Sequence, residues 1–262
     1  MHLTSKDRSR QIITTVIAGI GLVLLFISRF SLVQPPKVEV VVTQEHLLGA
    51  TAVGTWLMLP IALGALAFTI WQWFPSANTI DFQRKFWLFP ACAIFLFGLY
   101  ELFSTLYLNW LAYLILLVQA VVVLVLLRAL PASPLNFKGT GPGSLLTLVT
   151  NLTFGLLGGW TVYLLVADLA RPLTNYSWNW FVRHLFGTLL LLVLGALLIL
   201  GGRFVGERLS FYFAGMWALF FICIGDLFVS GGAVFVGLVA LLVFCAVVVY
   251  IVTATKRTKL KF

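Results

Sequence analysis

Two acidic residues in apolar surroundings are the first candidates for chemistry in this chain. Glu101 lies near the end of the apolar run 86–103, and Asp226 ends a similar run in the second half of the sequence. A carboxyl group is costly to place in hydrocarbon, so such acids commonly bind a cation, carry protons or pair with a base. The alternative is that both acids lie at the ends of membrane spans, where their side chains reach water.

The residues that surround these two acids resemble each other. Residues 93–103 read AIFLFGLYELF, residues 218–228 read ALFFICIGDLF, and Glu101 aligns with Asp226 without a gap. The tetrapeptides LGAL and AVVV also recur in the same order in both halves. We therefore expect a parallel 4+4 repeat with its symmetry axis along the membrane normal. Chance matching is the alternative, because apolar helices draw on few residue types.

The composition is that of an integral membrane protein. Hydrophobic residues make up 61% of the chain and charged residues 10%, whereas soluble domains average about 45–50% and about 25%. Apolar runs recur near the length of about 20 residues that a helix needs to cross a bilayer. The net charge of +9 does not indicate nucleic-acid binding, because the basic residues are spread over short loops and tails.

These runs predict an all-α membrane protein with about eight transmembrane helices. The predicted spans are 12–30, 47–74, 86–103, a fourth ending at Arg128, 144–167, 184–200, a seventh ending near Asp226 and an eighth ending near Thr253. The expected organisation is a first four-helix half at 1–128, a cytoplasmic linker at 129–143 and a second four-helix half at 144–262.

The distribution of basic residues predicts the orientation of the spans. With eight spans and both termini in the cytoplasm, 13 of the 17 Lys and Arg residues fall in cytoplasmic loops and tails. Only Arg29, Lys37, Arg171 and Arg183 fall on the other side. Such an excess of basic residues in cytoplasmic loops is typical of multi-pass membrane proteins.

Three tryptophans, Trp56, Trp160 and Trp217, lie within predicted spans rather than at their ends. Aromatic walls in a helical bundle suit a flat, apolar ligand such as a porphyrin or a sterol. The alternative is that these side chains face lipid or fill the core. No hydrolase, kinase or metal-binding motif occurs in the sequence, so we predict no catalytic residue, no metal ligand and no enzymatic activity.

The chain resembles the tryptophan-rich sensory protein or translocator protein family in its longer bacterial form. The resemblance is carried by residues 56–75 (WLMLPIALGALAFTIWQWFP), 100–102 (YEL), 159–162 (GWTV) and 205–219, which end in MWAL. It implies an all-helical bundle in a bacterial inner membrane that binds porphyrins or sterols. Trp56, Trp160 and Trp217 are the matching positions to which it assigns ligand binding.

Two other functions remain alternatives at this point. The protein could be a transporter of a small solute or ion that uses Glu101 and Asp226. It could also be a structural subunit that packs against other membrane proteins or against further copies of itself, with tryptophans at the contacts. In each case the lipid bilayer is the surrounding partner.

Overall fold

The computed structural model of the protein describes residues 4–30, 48, 50–51, 53–74, 84, 86–130, 142–174, 179–229 and 234–259. No β-strand occurs in these ranges. The residues between the first two predicted spans, 31–46, lie outside these ranges, as does all but the two ends of the linker expected at 129–143.

Eight α-helices account for most of the described residues. They are α1 (Ser5–Arg29), α2 (Met58–Trp71), α3 (Leu88–Thr105), α4 (Asn109–Ala129), α5 (Pro142–Thr174), α6 (Trp180–Phe204), α7 (Leu209–Ile224) and α8 (Val234–Lys259). A 3₁₀ turn, Gly54–Leu57, leads directly into α2, and a π-helical turn, Gly225–Val229, continues α7.

All eight helices are long and apolar enough to cross a membrane, once the 3₁₀ turn is counted with α2. Each contains a window of at least 18 residues with a mean hydropathy of 1.5 or more. The prediction of an all-α chain with eight helices long and apolar enough to span a membrane is therefore confirmed for the described residues. Several helices extend beyond the predicted spans, because polar residues continue the helix: α1, for example, begins at Ser5, where Thr4 and Asp7 cap it, rather than at Ile12.

The helices form two compact units. Unit 1 consists of Met1–Val38 and Leu59–Leu157, and unit 2 consists of Glu39–Met58 and Gly158–Phe262. α5 contributes its residues up to Leu157 to unit 1 and the rest to unit 2. These compact units do not test the predicted halves 1–128 and 144–262. Packing contacts define a compact unit, whereas shared ancestry defines a repeat, so the halves stay a prediction.

In unit 1, α1 and α3 cross in direct backbone contact. A Cβ atom added to Gly21 would lie 2.6 Å from the Cα of Phe95, and one added to Gly98 would meet the backbone of Gly21. Helices in a membrane associate largely through such close packing of small residues, because lipid tails are as apolar as the side chains. Gly21 and Gly98 thus set the distance between the two helices.

Polar side chains hold the N-terminal end of α1 in unit 1. Thr4 and Asp7 form a capping box, and Arg84 pairs with the Asp7 carboxylate at 2.9 Å. One turn further along α1, the Gln11 side-chain amide donates to the backbone carbonyl of Gln72 at 3.0 Å. These bonds tie the start of α1 to the end of α2 and to the residues before α3.

In unit 2, close contacts join α7 to both α5 and α6. A Cβ atom added to Gly159 of α5 would meet the backbone carbonyl of Phe211 in α7. One added to Gly215 of α7 would meet the side chain of Leu198 in α6. The π-helical turn then packs on α8, where a Cβ atom at Gly237 would lie 2.9 Å from the Leu227 side chain.

We expect Gly21→Leu to destabilise unit 1, because the new side chain would overlap the backbone of α3, which cannot move aside as a side chain can. Overpacking of this kind costs about 1–3 kcal/mol. Thermal unfolding of the purified protein in detergent measures the effect. Gly19→Leu is the matched control, since a Cβ at Gly19 meets nothing within 4 Å. Equal melting temperatures for the two variants would contradict the close crossing of α1 and α3.

Candidate functional site

The second span contains a stretch of non-helical backbone. The apolar run begins at Leu47, but the helix begins only at Gly54, with a 3₁₀ turn. The intervening sequence, LLGATAVG, carries two glycines and two β-branched residues, which have low helix propensity. Residues 48–58 belong to unit 2, and we call them the inserted segment.

Tyr163 of α5 anchors one part of the inserted segment. The backbone N–H of Ala50 donates to the Tyr163 hydroxyl oxygen at 2.9 Å, and the hydroxyl in turn donates to the carbonyl of Leu48 at 3.2 Å. The Leu48 side chain is 2% exposed and contributes to the core. A single phenol group therefore supplies both an acceptor and a donor to backbone that has no helical partners there.

Trp217 of α7 anchors the segment at its 3₁₀ turn. The indole N–H of Trp217 donates to the carbonyl of Gly54 at 2.9 Å. Gly54 is buried, and a Cβ atom at this position would lie 2.8 Å from the Ala50 Cβ and 2.9 Å from the Phe221 Cβ. Only glycine fits so close to α7, so the residue type at position 54 permits the contact.

Both anchors lie well inside the spans that carry them. Tyr163 lies about 10 Å along α5 from Ala170, where the span ends, at a rise of about 1.5 Å per residue. By the same measure, Trp217 lies about 16 Å along α7 from Phe228, where that span ends. The inserted segment itself packs beside Phe221, about 10 Å along the span from Phe228, so it lies against the side of the span rather than resting on its end.

Aromatic rings surround the two anchors. The rings of Trp160 and Tyr163 lie 4.7 Å apart between centroids on one face of α5. Trp217 lies 4.9 Å from Phe221 and 5.8 Å from Phe213 along α7. The inserted segment and these five side chains form the candidate site, which can offer flat apolar surfaces together with indole and phenol hydrogen-bonding groups.

The three predicted tryptophans occupy different environments within unit 2. Trp160 is 1% exposed, Trp217 is partly buried and bonded to the inserted segment, and Trp56 is 69% exposed. Trp160 and Trp217 thus belong to the aromatic cluster of the candidate site. Trp56 belongs to the inserted segment itself, but its side chain is largely exposed.

The acid in unit 1, Glu101, has a basic neighbour that sequence reasoning did not pair with it. Glu101 is 8% exposed in the last full turn of α3, and its Oε2 atom lies 3.5 Å from the Nε atom of Arg29, the last residue of α1. The close crossing of α1 and α3 brings the two residues together. The Arg29 side chain is 40% exposed, so solvent screening keeps the pair weak.

The acid in unit 2, Asp226, lies in the π-helical turn that follows α7 and is 8% exposed. A Cβ atom at Gly237 of α8 would lie 3.1 Å from the Asp226 Cβ. π-helical turns interrupt α-helices rarely and often at functional positions. Glu101 and Asp226 thus lie near the ends of the third and seventh helices, each within its own unit.

Sequence reasoning missed Tyr163 and Gly54 as site residues. The spacing of Tyr163, three residues after Trp160, was a usable signal, since residues three apart share one face of a helix. Gly54 carried no such signal, because its role depends on the approach of α7. Among the described residues, no group of three or more His, Cys, Asp or Glu side chains could hold a metal ion.

No protein-family model, curated protein or solved structure matches the chain. The resemblance to the tryptophan-rich sensory proteins therefore stays a prediction from the sequence.

We expect Tyr163→Phe to loosen the inserted segment, because it removes both hydrogen bonds of the phenol. Net contributions of about 1 kcal/mol per bond predict at least about fivefold faster hydrogen exchange at the Ala50 amide. Tyr250→Phe is the matched control. The Tyr250 hydroxyl donates to the Glu207 carboxylate in the loop between α6 and α7, and it makes no bond to the inserted segment in the described residues. Unchanged exchange at Ala50 in Tyr163→Phe would contradict the anchoring.

Proposed function

We propose that the protein binds a flat, apolar ligand of porphyrin or sterol size in unit 2, beside the inserted segment. The observation that carries this proposal is the irregular backbone ahead of α2 in the inserted segment, which Tyr163 and Trp217 bond at Leu48, Ala50 and Gly54. The proposed activity is binding, without a catalytic step.

Non-helical backbone at membrane depth needs a physical reason. Each unpaired N–H or C=O group is costly in hydrocarbon, so such backbone is tolerated only where it is buried in protein or lines a cavity. Membrane transporters place their ligand sites at interrupted helices of this kind. Two aromatic side chains of unit 2 bond the inserted segment, so it forms one wall of the proposed ligand site.

The chemistry of the surrounding side chains favours a flat, apolar ligand. Aromatic rings offer large surfaces at low conformational cost and stack well with other rings. Trp160, Trp217, Phe213 and Phe221 supply such surfaces within unit 2. None of these side chains carries a charge that could pair with a charged hydrophilic solute, whereas a porphyrin ring or a sterol skeleton would match their apolar surfaces.

The orientation, family and repeat belong to the same proposal. We place both termini in the cytoplasm of a bacterium, on the strength of the 13 basic residues that this orientation assigns to the inner side. Membership of the tryptophan-rich sensory protein family would agree with the ligand class. In each half two helices pack closely at a glycine, α1 on α3 and α5 on α7, which supports the 4+4 repeat. The sequence alignment of residues 93–103 with 218–228 does not place these glycines opposite each other.

Trp217→Phe should weaken binding of protoporphyrin IX about tenfold or more, because it removes an indole ring and frees the inserted segment. Losses of this size are usual when a buried aromatic anchor is removed from a binding site. Titration of the purified protein in nanodiscs, followed by porphyrin fluorescence, gives the dissociation constant. Cholesterol is titrated in the same way by thermal shift.

Trp110→Phe is the matched control, since Trp110 belongs to unit 1 and is 78% exposed. The affinity of Trp110→Phe for protoporphyrin IX and for cholesterol should equal that of the unaltered protein. The proposal fails if neither protoporphyrin IX nor cholesterol binds, or if Trp110→Phe and Trp217→Phe weaken binding equally.

A second candidate function, proton-coupled transport, rests on the buried Asp226 in its π-helical turn. If Asp226 carries protons, Asp226→Asn should slow the decay of an imposed pH gradient across proteoliposomes to the rate of empty vesicles. Glu101→Gln tests the second acid, and Glu207→Gln is the control in the loop between α6 and α7. Decay that is unchanged after Asp226 and Glu101 are both neutralised would remove the case for transport.

A further inference from the structure

The indole N–H of Trp160 stands apart from the other polar groups of the candidate site. Trp160 is the largest of the fully buried side chains, at 1% exposure. Its Nε1 atom has less than 1 Å² of accessible surface and no hydrogen-bond partner among the described residues. Buried polar groups in proteins are satisfied in the great majority of cases, so an exception of this kind calls for an explanation.

The neighbouring polar groups are already occupied. Trp217 donates its indole N–H to the carbonyl of Gly54 at 2.9 Å. The Tyr163 hydroxyl accepts from Ala50 and donates to Leu48. Both groups therefore bond the inserted segment. Of the hydrogen-bonding groups in the cluster, the Trp160 indole N–H is the one left to bond a ligand.

The chemistry of the indole group determines what kind of atom it can meet. A tryptophan side chain is a donor only, so a partner must bring an acceptor such as a carbonyl, carboxylate or hydroxyl oxygen. In surroundings of low polarity a hydrogen bond of this kind is stronger than in water, and an unpaired donor is correspondingly unfavourable. A purely hydrocarbon ligand would leave the group unpaired.

We propose that the ligand of unit 2 carries an acceptor oxygen on its ring system, and that this oxygen receives the hydrogen bond of the Trp160 indole N–H. This inference rests on the proposed function, and it narrows the ligand class to flat apolar molecules with one such oxygen at the ring. The Tyr163 ring packs against Trp160 at a tilt of 48° and positions the indole ring, while Trp217 keeps the inserted segment in place.

A matched pair of probes tests the inference without knowledge of the natural ligand. Fluorene and fluorenone have the same planar ring system, but only fluorenone has a carbonyl oxygen. The unaltered full-length protein in nanodiscs should bind fluorenone about tenfold more tightly than fluorene, as one hydrogen bond at a buried site predicts. Thermal shift and calorimetric titration give both affinities.

The variant Trp160→Phe should bind the two probes with equal affinity, because it keeps an aromatic ring but has no donor. The ratio of affinities is the readout, so a general loss of packing at the site does not mimic the effect. Trp110→Phe should keep the preference for fluorenone. A fluorenone preference that survives in Trp160→Phe would overturn the inference.

A second measurement needs no altered protein. Bound fluorenone should show its carbonyl stretching band at lower frequency than in an alkane solvent, because a hydrogen bond weakens the C=O bond. An unshifted band would overturn the inference. Equal binding of fluorene and fluorenone would also overturn it, since it would mean that the Trp160 N–H already has an internal acceptor such as a buried water. Equal binding leaves the proposed function standing. Binding of neither fluorene nor fluorenone would overturn the inference alone, because the proposed function is tested separately with protoporphyrin IX and cholesterol.

Discussion

In a membrane, each backbone N–H and C=O group must find its partner inside the protein, and this requirement organises the chain. The eight helices meet it within themselves. The inserted segment, residues 48–58, cannot do so over its non-helical part, and it depends on Tyr163 and Trp217. The candidate site exists because two aromatic side chains with polar groups lie where irregular backbone needs them.

The two units meet the demands of the membrane by different chemistry. Unit 1 joins α1 to its neighbours through a close glycine crossing at Gly21 and through polar side chains, among them Gln11 and Asp7. Unit 2 uses glycine crossings as well, and two of its aromatic side chains, Tyr163 and Trp217, bond the backbone of the inserted segment. This difference is why ligand binding is assigned to unit 2.

The two acids that align in the sequence have different surroundings. Glu101 lies within reach of Arg29 in an ordinary α-helix, so a basic side chain offsets its charge. Asp226 lies in a π-helical turn packed against α8. If the two halves arose from one ancestor, these positions have since acquired different neighbours, and a shared role for the two acids does not follow from their alignment alone.

The sequence by itself determined the class of protein and the eight spans, because the length and apolarity of each run leave a helix across the membrane as the only stable outcome. It also singled out Trp160 and Trp217, since aromatic residues inside spans are visible without a structure. It could not show that the second helix begins at Gly54, that Tyr163 binds the backbone of Leu48 and Ala50, or that Arg29 meets Glu101. Those features depend on which helices cross and how closely, and contacts between residues far apart in the chain leave no periodic pattern in the sequence. Tertiary structure therefore decided where the candidate site lies, and it left the Trp56 side chain exposed while Trp160 is buried.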